Sequence, residues 1–154
     1  MSRQEVKVTL MYLREEEKMR ISFEGTSLRE LVIDLSKVTG GEARALTAAS
    51  ALECMSSWIL HFLRRHEEDL GLFQAVATTN IMSDAEGDRV SKITVKIHLK
   101  VLGDENKRER YEKIIRKIVE KGCLMSRSLK KGIVVEYVPI VESVEEGKKH
   151  NKKA

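Results

Sequence analysis

Apolar and polar residues alternate along several stretches of the chain, and this period of two is typical of half-buried β-strands. Two such stretches, 6–12 and 19–23, are separated by a charged turn and predict a β-hairpin. A third, 30–36, predicts another strand, although a helix beginning at Ser27 fits the same residues. The most regular alternation, 92–101, predicts a strand with one buried face and one solvated, basic face.

The stretch before this regular strand, 72–82, is rich in β-branched and apolar residues and predicts its hairpin partner. After Asp104, a plausible N-cap, the apolar period changes to that of a helix. Its apolar stripe comprises Tyr111, Ile114, Ile115, Ile118 and Val119. Gly122 is placed to end this helix, and a short helix over 123–131 and a last strand over 133–138 follow.

The centre of the chain is a predicted helix over 43–65 that does not have the single apolar stripe of a surface helix. Within it, residues 47–63 are small or apolar on nearly every side, and Glu53 is the only charged residue among them. A helix of this kind is expected to be buried against several elements. Together the elements predict an α+β fold, arranged either as two layers or as an intertwined dimer.

Length and charge define the domain organisation. The 154 residues suffice for one domain with a real core, predicted over 1–143 and followed by a basic disordered tail, 144–154. The 28 Lys and Arg residues exceed the 24 Asp and Glu residues by four, and four lysines lie in 147–154. The body of the chain is therefore neutral, which argues against a nucleic-acid-binding function.

The sequence predicts a soluble, cytoplasmic protein. The N-terminus lacks the apolar core of a signal peptide, and the longest uncharged apolar run, 58–63, is too short to span a bilayer. We therefore expect no membrane association. In a reducing compartment, the two cysteines are expected to be free thiols or a redox pair.

Cys123 and Cys54 are the main candidates for chemistry. Cys123 follows Gly122 at the predicted start of a helix, where unpaired N–H groups favour a thiolate. Cys54 lies mid-helix among apolar residues, so it needs a cation from elsewhere to ionise; Arg20 is the first candidate and Arg14 the second. Both cysteines are also compatible with a purely structural role in the core.

No other motif indicates a site. Neither C-x-x-C nor H-E-x-x-H occurs, so we expect no metal, and no motif calls for a cofactor. Met55, Trp58 and Met125 fit the core, but they could equally line an apolar pocket beside a reactive thiol.

Two segments resemble the OsmC/Ohr family of thiol peroxidases. The first runs from Gly40-Gly41-Glu42 into the helix with Ala51-Leu52-Glu53-Cys54, and the second is Glu120-Lys121-Gly122-Cys123 with the short helix after it. The resemblance covers about residues 4–140. It implies an intertwined homodimer in which antiparallel sheets from both chains wrap two central cysteine-bearing helices, with the sites at the subunit interface.

The resemblance also implies a mechanism. Cys54 matches the peroxidatic cysteine, which attacks an organic or lipid hydroperoxide and becomes a sulfenic acid. Cys123 matches the resolving cysteine, which condenses with it to a disulfide. A dithiol reductant, a lipoyl protein or a small thiol, then restores both thiols. Arg20 is the best match to the arginine that stabilises the thiolate.

The chain departs from the family at one point. Family peroxidases often carry Pro-Glu or Met-Glu about ten residues before the first cysteine, and Arg44-Ala45 stand here instead. Three carboxylates are candidate replacements for that glutamate: Glu42, Glu53 and Asp34. Arg44 is itself a candidate cation near the thiol. The alternative function is a non-catalytic protein that binds a small hydrophobic ligand in the dimer cleft.

Overall fold

The structure, a computed structural model, describes residues 6–132. The strands are β1 (Lys7–Leu13), β2 (Lys18–Glu24), β3 (Leu31–Asp34), β4 (Leu70–Asp84) and β5 (Gly87–Val101). The helices are α1 (Glu42–Leu63), α2 (Glu105–Lys121) and α3 (Leu124–Lys131), with short 3₁₀ turns at Arg14–Glu16, Leu35–Lys37 and Arg64–Asp69. This is the predicted α+β architecture. The predicted strand 133–138 and the basic tail 144–154 lie outside the described residues.

The first sheet is antiparallel with the order β1-β2-β3. Its register places Leu10 of β1 opposite Ile21 of β2, which in turn pairs with Leu31 of β3. The predicted hairpin is confirmed, and the third stretch forms a strand rather than a helix. β3 ends at Asp34, whose carboxylate accepts a hydrogen bond of 3.0 Å from the backbone N–H of Ser36.

Much of the apolar face of this sheet is uncovered in a single chain, although Ile21 of β2 is buried. Val8, Leu10 and Tyr12 are 58%, 53% and 58% exposed, and the strands contact mainly one another. The predicted burial of this face is therefore not complete within one chain. An apolar surface of this kind on a sheet marks a place where another surface packs.

The second sheet is a long hairpin of β4 and β5. Both strands are longer than predicted because the polar segment between them contributes to the ladder, and pairing continues to Asp84 opposite Gly87. Asp84 makes this tight turn possible, since its carboxylate accepts from the N–H of Glu86 (3.0 Å) and from Arg89. Gly87, at φ +118°, adopts a backbone conformation that favours glycine.

The core lies where α1 meets the second sheet, α2 and α3. One stripe of α1 supplies Met55, Ile59 and Leu63, which pack with Tyr111 of α2 and with Cys123. The predicted burial of α1 on nearly all sides is wrong for a single chain, because the other chain elements cover only this stripe. Trp58, on another face, is 57% exposed.

Local signals define the ends of the last two helices. The Asp104 side chain accepts a hydrogen bond of 2.9 Å from the N–H of Lys107, which confirms the predicted N-cap of α2. Gly122, at φ +74°, ends α2 as predicted. Cys123 is the N-cap of α3, so the short helix begins one residue later than predicted.

A polar link joins the turn after α1 to α2. The buried Tyr111 hydroxyl donates to Asp69 at 2.6 Å, and Lys107 donates to the other oxygen of the same carboxylate at 2.5 Å. Burial and this carboxylate raise the pKa of Tyr111 to about 12. The hydrogen bonds from Lys107 and Tyr111 lower the pKa of Asp69. This link fixes α2 against the end of α1.

The segment Glu42–Asp69 is long and apolar enough to cross a bilayer by length and composition alone. The uncharged apolar run that the sequence shows, 58–63, is shorter, so this segment was not predicted as a possible membrane span. In this structure the segment is the core helix α1 with its following turn, and Met55, Ile59 and Leu63 pack against other elements of the domain. Core helices of globular domains meet the same criterion.

Candidate functional site

The fold brings the two cysteines together, although they are 69 positions apart in the chain. Cys54 lies midway along α1 and is half-buried, whereas Cys123 precedes α3 and is only 1% exposed. Both are free thiols, and Cys54 packs against the core cluster that contains Cys123. The fold therefore places both thiols in one packed region of a single chain, and a disulfide between them stays a prediction.

Ser126 holds Cys123 at the start of α3 through three hydrogen bonds. The Ser126 N–H donates to Cys123 Sγ at 3.5 Å, and Ser126 Oγ accepts from the Cys123 N–H at 2.9 Å and donates to its carbonyl at 3.1 Å. This is a capping box in which a thiol takes the place of the usual hydroxyl. A Cβ at Gly122 would lie 2.9 Å from Ser126 Oγ, so glycine leaves room for this contact.

The two thiols have opposite tendencies to ionise. Burial raises the pKa of Cys54, and the Cys123 side chain and the charge of Glu53 raise it further. The Met125 N–H acts in the opposite direction and lowers it. Burial also acts to raise the pKa of Cys123, but hydrogen bonds from the Ser126 N–H and the Cys54 thiol outweigh it, and the pKa is lowered.

The predicted thiolate-stabilising arginines lie away from the thiols of their own chain. Arg20, on β2, pairs with Glu30 at 2.9 Å in the first sheet, and Arg14 lies in the turn between β1 and β2. Neither is among the main influences on the ionisation of Cys54 or Cys123. Within one described chain, these two arginines are not part of the site.

The candidates near the start of α1 are also remote from the thiols. Glu42 accepts from the Thr39 N–H at 2.8 Å, and Arg44 folds back towards Gly41. At a rise of about 1.5 Å per residue, Cys54 lies roughly three turns further along the helix. Glu53 is exposed and accepts a hydrogen bond from Ser57, and it influences Cys54 only through its charge.

Asp34, the remaining candidate carboxylate, ends β3 in the first sheet. It accepts hydrogen bonds from the Ser36 N–H and hydroxyl and pairs with Lys37 at 3.6 Å. The backbone and side chain of Ser36 lower its pKa. Asp34 therefore has local partners and no contact with the thiols of its own chain.

An apolar cleft of about 460 Å³ is lined by Ser126, which contacts Cys123, although neither cysteine lines it. Its other walls come from Thr47, Ala51 and Met55 of α1, from the middle of β5, and from Val119 and Leu129. Of the predicted pocket residues, Met55 lines this cleft. Met125 packs against the core beside Cys54, and the exposed Trp58 does neither.

Ser126 is the residue that the sequence analysis missed. It lines the cleft and also contacts Cys123, so it connects the apolar space to the thiol pair. The signal was present in the sequence, because Cys123-x-x-Ser126 has the spacing of a capping box. Cysteine is not a usual N-cap residue, and the pattern therefore did not stand out.

One group of side chains in the described part of the chain has the arrangement of metal ligands. Candidate ligand atoms of His66, Glu68 and Asp69 lie within 4.8 Å of one another at the end of the turn after α1. Both Asp69 oxygens already accept hydrogen bonds, from Tyr111 and Lys107. The group is a structural link, and the expectation that the protein needs no metal stays a prediction.

The chain matches the profile of a known protein family. The family profile described as OsmC-like protein matches residues 37–138, which is more than half of the chain and includes both cysteines. The chain belongs to the OsmC-like protein family. The resemblance noted in its two cysteine segments is thus confirmed at the level of the family.

Solved structures agree with this assignment. A protein from Psychrobacter arcticus 273-4, provisionally named for osmotic stress induction and a detoxification response, is 20% identical, with a TM-score of 0.55 over 82% of this chain and 88% of that one. An OsmC-like protein of unknown function from Vibrio cholerae O1 biovar eltor str. N16961 is 15% identical, with a TM-score of 0.56 over 82% and 93%. At these identities the likeness supports the fold alone. No curated protein sequence matches the chain.

Proposed function

We propose that this OsmC-like protein is a thiol-dependent peroxidase that reduces organic hydroperoxides. The observation that carries the proposal is that two free thiols, Cys54 and Cys123, lie in one packed region, and that Ser126 contacts Cys123 and lines an apolar cleft. Cys54, the more exposed thiol, attacks the peroxide and becomes a sulfenic acid, which condenses with Cys123 to a disulfide. A detoxification role agrees with the provisional name of the Psychrobacter arcticus protein.

The cleft supports an apolar substrate. Its wall beside Ser126 consists largely of aliphatic side chains such as Met55, Ile93 and Leu129. Burying an alkyl group there is favourable by about 0.8 kcal/mol for each CH₂. Hydroperoxides with an alkyl or aryl body should therefore react better than hydrogen peroxide, which lacks one.

The reductant that restores the thiols is proposed to be a dithiol, from a lipoyl protein or a small thiol. A dithiol reduces a protein disulfide by two successive exchange steps, and the second step is intramolecular. In the reducing cytoplasm, the proposed location, the pair returns to the thiol form between turnovers.

We also propose that the protein acts as a homodimer. The uncovered apolar face of the first sheet and the exposed Trp58 of α1 both need a covering surface, and a second copy supplies one with two-fold symmetry. In such a dimer Arg20 reaches the thiols from the partner chain. Its ion-pair partner within one chain, Glu30, is an exposed side chain. An exposed ion pair is weak, so Arg20 can leave Glu30 for another partner.

Self-association is tested by light scattering combined with size-exclusion chromatography. Leu10→Glu places a charge on the apolar face and should yield a monomer, whereas Lys7→Glu, on the opposite face of β1, should remain dimeric. A monomeric wild-type protein at micromolar concentration would rule out the dimer.

The peroxidase proposal is tested by counting thiols. The reduced protein is treated with one equivalent of cumene hydroperoxide, and free thiols and intact mass are measured. We expect both thiols to disappear with the loss of two hydrogens, and either Cys54→Ser or Cys123→Ser to abolish this disulfide. If two thiols still titrate after excess peroxide, the protein is not a peroxidase.

A second candidate function is the binding of a small hydrophobic ligand without catalysis. The observation in its favour is that, within residues 6–132 of one chain, no arginine is among the main influences on the ionisation of either thiol. The cleft would then be the binding site. Saturable binding of a fluorescent fatty acid, weakened by Ala51→Trp in the cleft wall, together with inert thiols would favour this function.

A further inference from the structure

The wall of the apolar cleft carries positive charge. Lys130 of α3 and Lys92 of β5 both line the cleft, whereas no Asp or Glu within residues 6–132 does so. Both lysines are exposed, and a lysine in such a position covers apolar surface with its stem and keeps its ammonium group in water. The rest of the wall is mainly aliphatic. This composition fits an amphiphile that joins an apolar chain to an anionic group.

Lys130 lies one helical turn beyond Ser126 on the same face of α3, because residues four apart on a helix are neighbours. The rise between them is about 6 Å along the helix axis. Both residues line the cleft, and the Ser126 N–H donates to Cys123 Sγ at 3.5 Å. The positive charge of Lys130 and the contact to Cys123 are therefore separated by a distance that a short alkyl chain spans.

The hydroxyl groups of the cleft wall already donate to backbone carbonyls. The three bonds run from Thr47 to Ala43 at 2.9 Å, from Ser91 to Asn80 at 3.2 Å and from Ser126 to Cys123 at 3.1 Å. A carboxylate only accepts hydrogen bonds. In the described part of the wall, the side-chain donors that remain for a carboxylate are therefore the ammonium groups of the two lysines.

Neither lysine forms an ion pair with an acid of residues 6–132. The ion pairs in this range involve other cations. Arg89 of β5, for example, pairs with Asp84 at 3.0 Å, and Arg108 of α2 pairs with Glu112 at 2.8 Å. An incoming carboxylate therefore meets Lys130 without displacing an acidic side chain from the described residues.

We propose that Lys130 binds the carboxylate of substrates whose hydroperoxide-bearing alkyl chain occupies the apolar cleft. Lys130 is then a specificity-determining residue, and Lys92 adds a second positive charge to the wall. The cleft volume of about 460 Å³ lies within the range of about 300–1,000 Å³ that small-molecule sites occupy. The inference rests on the proposed peroxidase function, which it deepens by naming the substrate class, amphiphilic hydroperoxides with a carboxylate head group.

The first test measures equilibrium binding and needs no turnover. Decanoate and decanol, which differ only in the head group, displace the neutral dye Nile red from the reduced protein. Lys130→Met removes the charge and keeps an apolar stem, so it should weaken decanoate binding about threefold to tenfold by loss of a charge-assisted hydrogen bond. Decanol binding should stay unchanged. Added salt should weaken the binding of decanoate alone, because salt screens the exposed charges.

Two variants serve as controls for Lys130→Met. Lys131→Met removes the charge of the next lysine of α3, which does not line the cleft, and should bind decanoate as the wild type does. Lys130→Arg keeps the positive charge and should retain most of the affinity. Since Lys130 is exposed, these changes leave the core intact, and circular dichroism checks that each variant keeps its helices.

The second test measures turnover with dithiothreitol as the reductant. A hydroperoxydecanoate and its methyl ester carry the same reacting group, and only the first has a charged head group. Lys130→Met should raise KM for the acid about threefold to tenfold with little change in kcat, because the lost contact stabilises the bound substrate and the transition state alike. The kinetics of the methyl ester should not change.

Three results would overturn the assignment of Lys130. The first is an absence of decanoate binding by the wild type, or equal losses of decanoate affinity in Lys130→Met and Lys131→Met. The second is turnover in which Lys130→Met affects the acid and the methyl ester equally. The third is tighter binding of decyl phosphate than of decanoate, which would assign the site to a phosphate head group. If neither hydroperoxide is reduced while the binding difference persists, the peroxidase proposal fails and carboxylate recognition by Lys130 stands.

Discussion

Gly122→Ala should both destabilise the protein and weaken the ionisation of Cys123. Gly122, at φ +74° and ψ 170°, occupies a backbone region that is essentially restricted to glycine. Strain in such a region costs of order 1–3 kcal/mol. The new Cβ would also lie 2.9 Å from Ser126 Oγ, which is tied to both the N–H and the carbonyl of Cys123.

The steric part of this effect has its own magnitude. Ser126 Oγ cannot move away from the Cβ without giving up its capping hydrogen bonds, and losing a cap costs about 1 kcal/mol. We therefore expect the free energy of unfolding to fall by roughly 2–4 kcal/mol in Gly122→Ala. Cys123 loses its fixed donor in the same step, so its thiolate fraction at neutral pH should also fall.

Gly132→Ala is the matched control. Gly132 ends α3 at φ +78° and ψ 146°, so alanine there meets similar backbone strain, but among residues 6–132 a Cβ would have no atom within 4 Å. Urea unfolding of the reduced proteins, with the Cys123 ionisation measured alongside, separates the two contributions. The double variant Gly122→Ala/Ser126→Ala should lose less free energy of unfolding than the two single variants lose together, because the contact between the new Cβ and Ser126 Oγ is then absent.

The reasoning about Gly122 would be refuted by two observations together. These are equal losses of stability in Gly122→Ala and Gly132→Ala and an unchanged ionisation of Cys123 in Gly122→Ala. That result would mean that Ser126 relaxes freely and that the capping box does not control the thiol.

Three further predictions concern the stability of the fold. Tyr111→Phe should lower the free energy of unfolding by about 1–3 kcal/mol at neutral pH, since it removes a buried hydrogen bond to a carboxylate. The pKa of Asp69 is lowered in the folded state, so the stabilisation that its carboxylate provides is present above the pKa of an unfolded aspartate. That stabilisation is lost as the pH falls through the folded-state pKa. The free energies of unfolding of wild type and Tyr111→Phe, measured by urea titration, should therefore converge in acid. Ile59→Ala should cost about 2–5 kcal/mol because Ile59 is fully buried, whereas Trp58→Ala should cost far less in denaturant titrations and instead weaken self-association. Asp104→Ala should cost about 1 kcal/mol by removing the N-cap of α2, and an unchanged thermal midpoint would contradict that role.

The sequence by itself determined the local structure. Alternation of apolar residues identified the hairpins, and Asp104 and Gly122 marked the ends of α2, because strand faces and helix caps depend on residues a few positions apart. Several boundaries differed. The β4–β5 hairpin is longer than predicted because side-chain hydrogen bonds of Asp84 stabilise a tighter turn.

The tertiary structure alone decided the site. Cys54 and Cys123 are 69 positions apart, and no local period can specify that two such thiols meet. Arg44 and Glu42 were plausible partners by proximity in sequence, but the straight path of α1 carries them away from Cys54. Ser126 gained its importance only because α3 packs its first turn against α1. Burial and the hydrogen bonds around each thiol, rather than residue type alone, shift the pKa values of Cys54 and Cys123 in opposite directions.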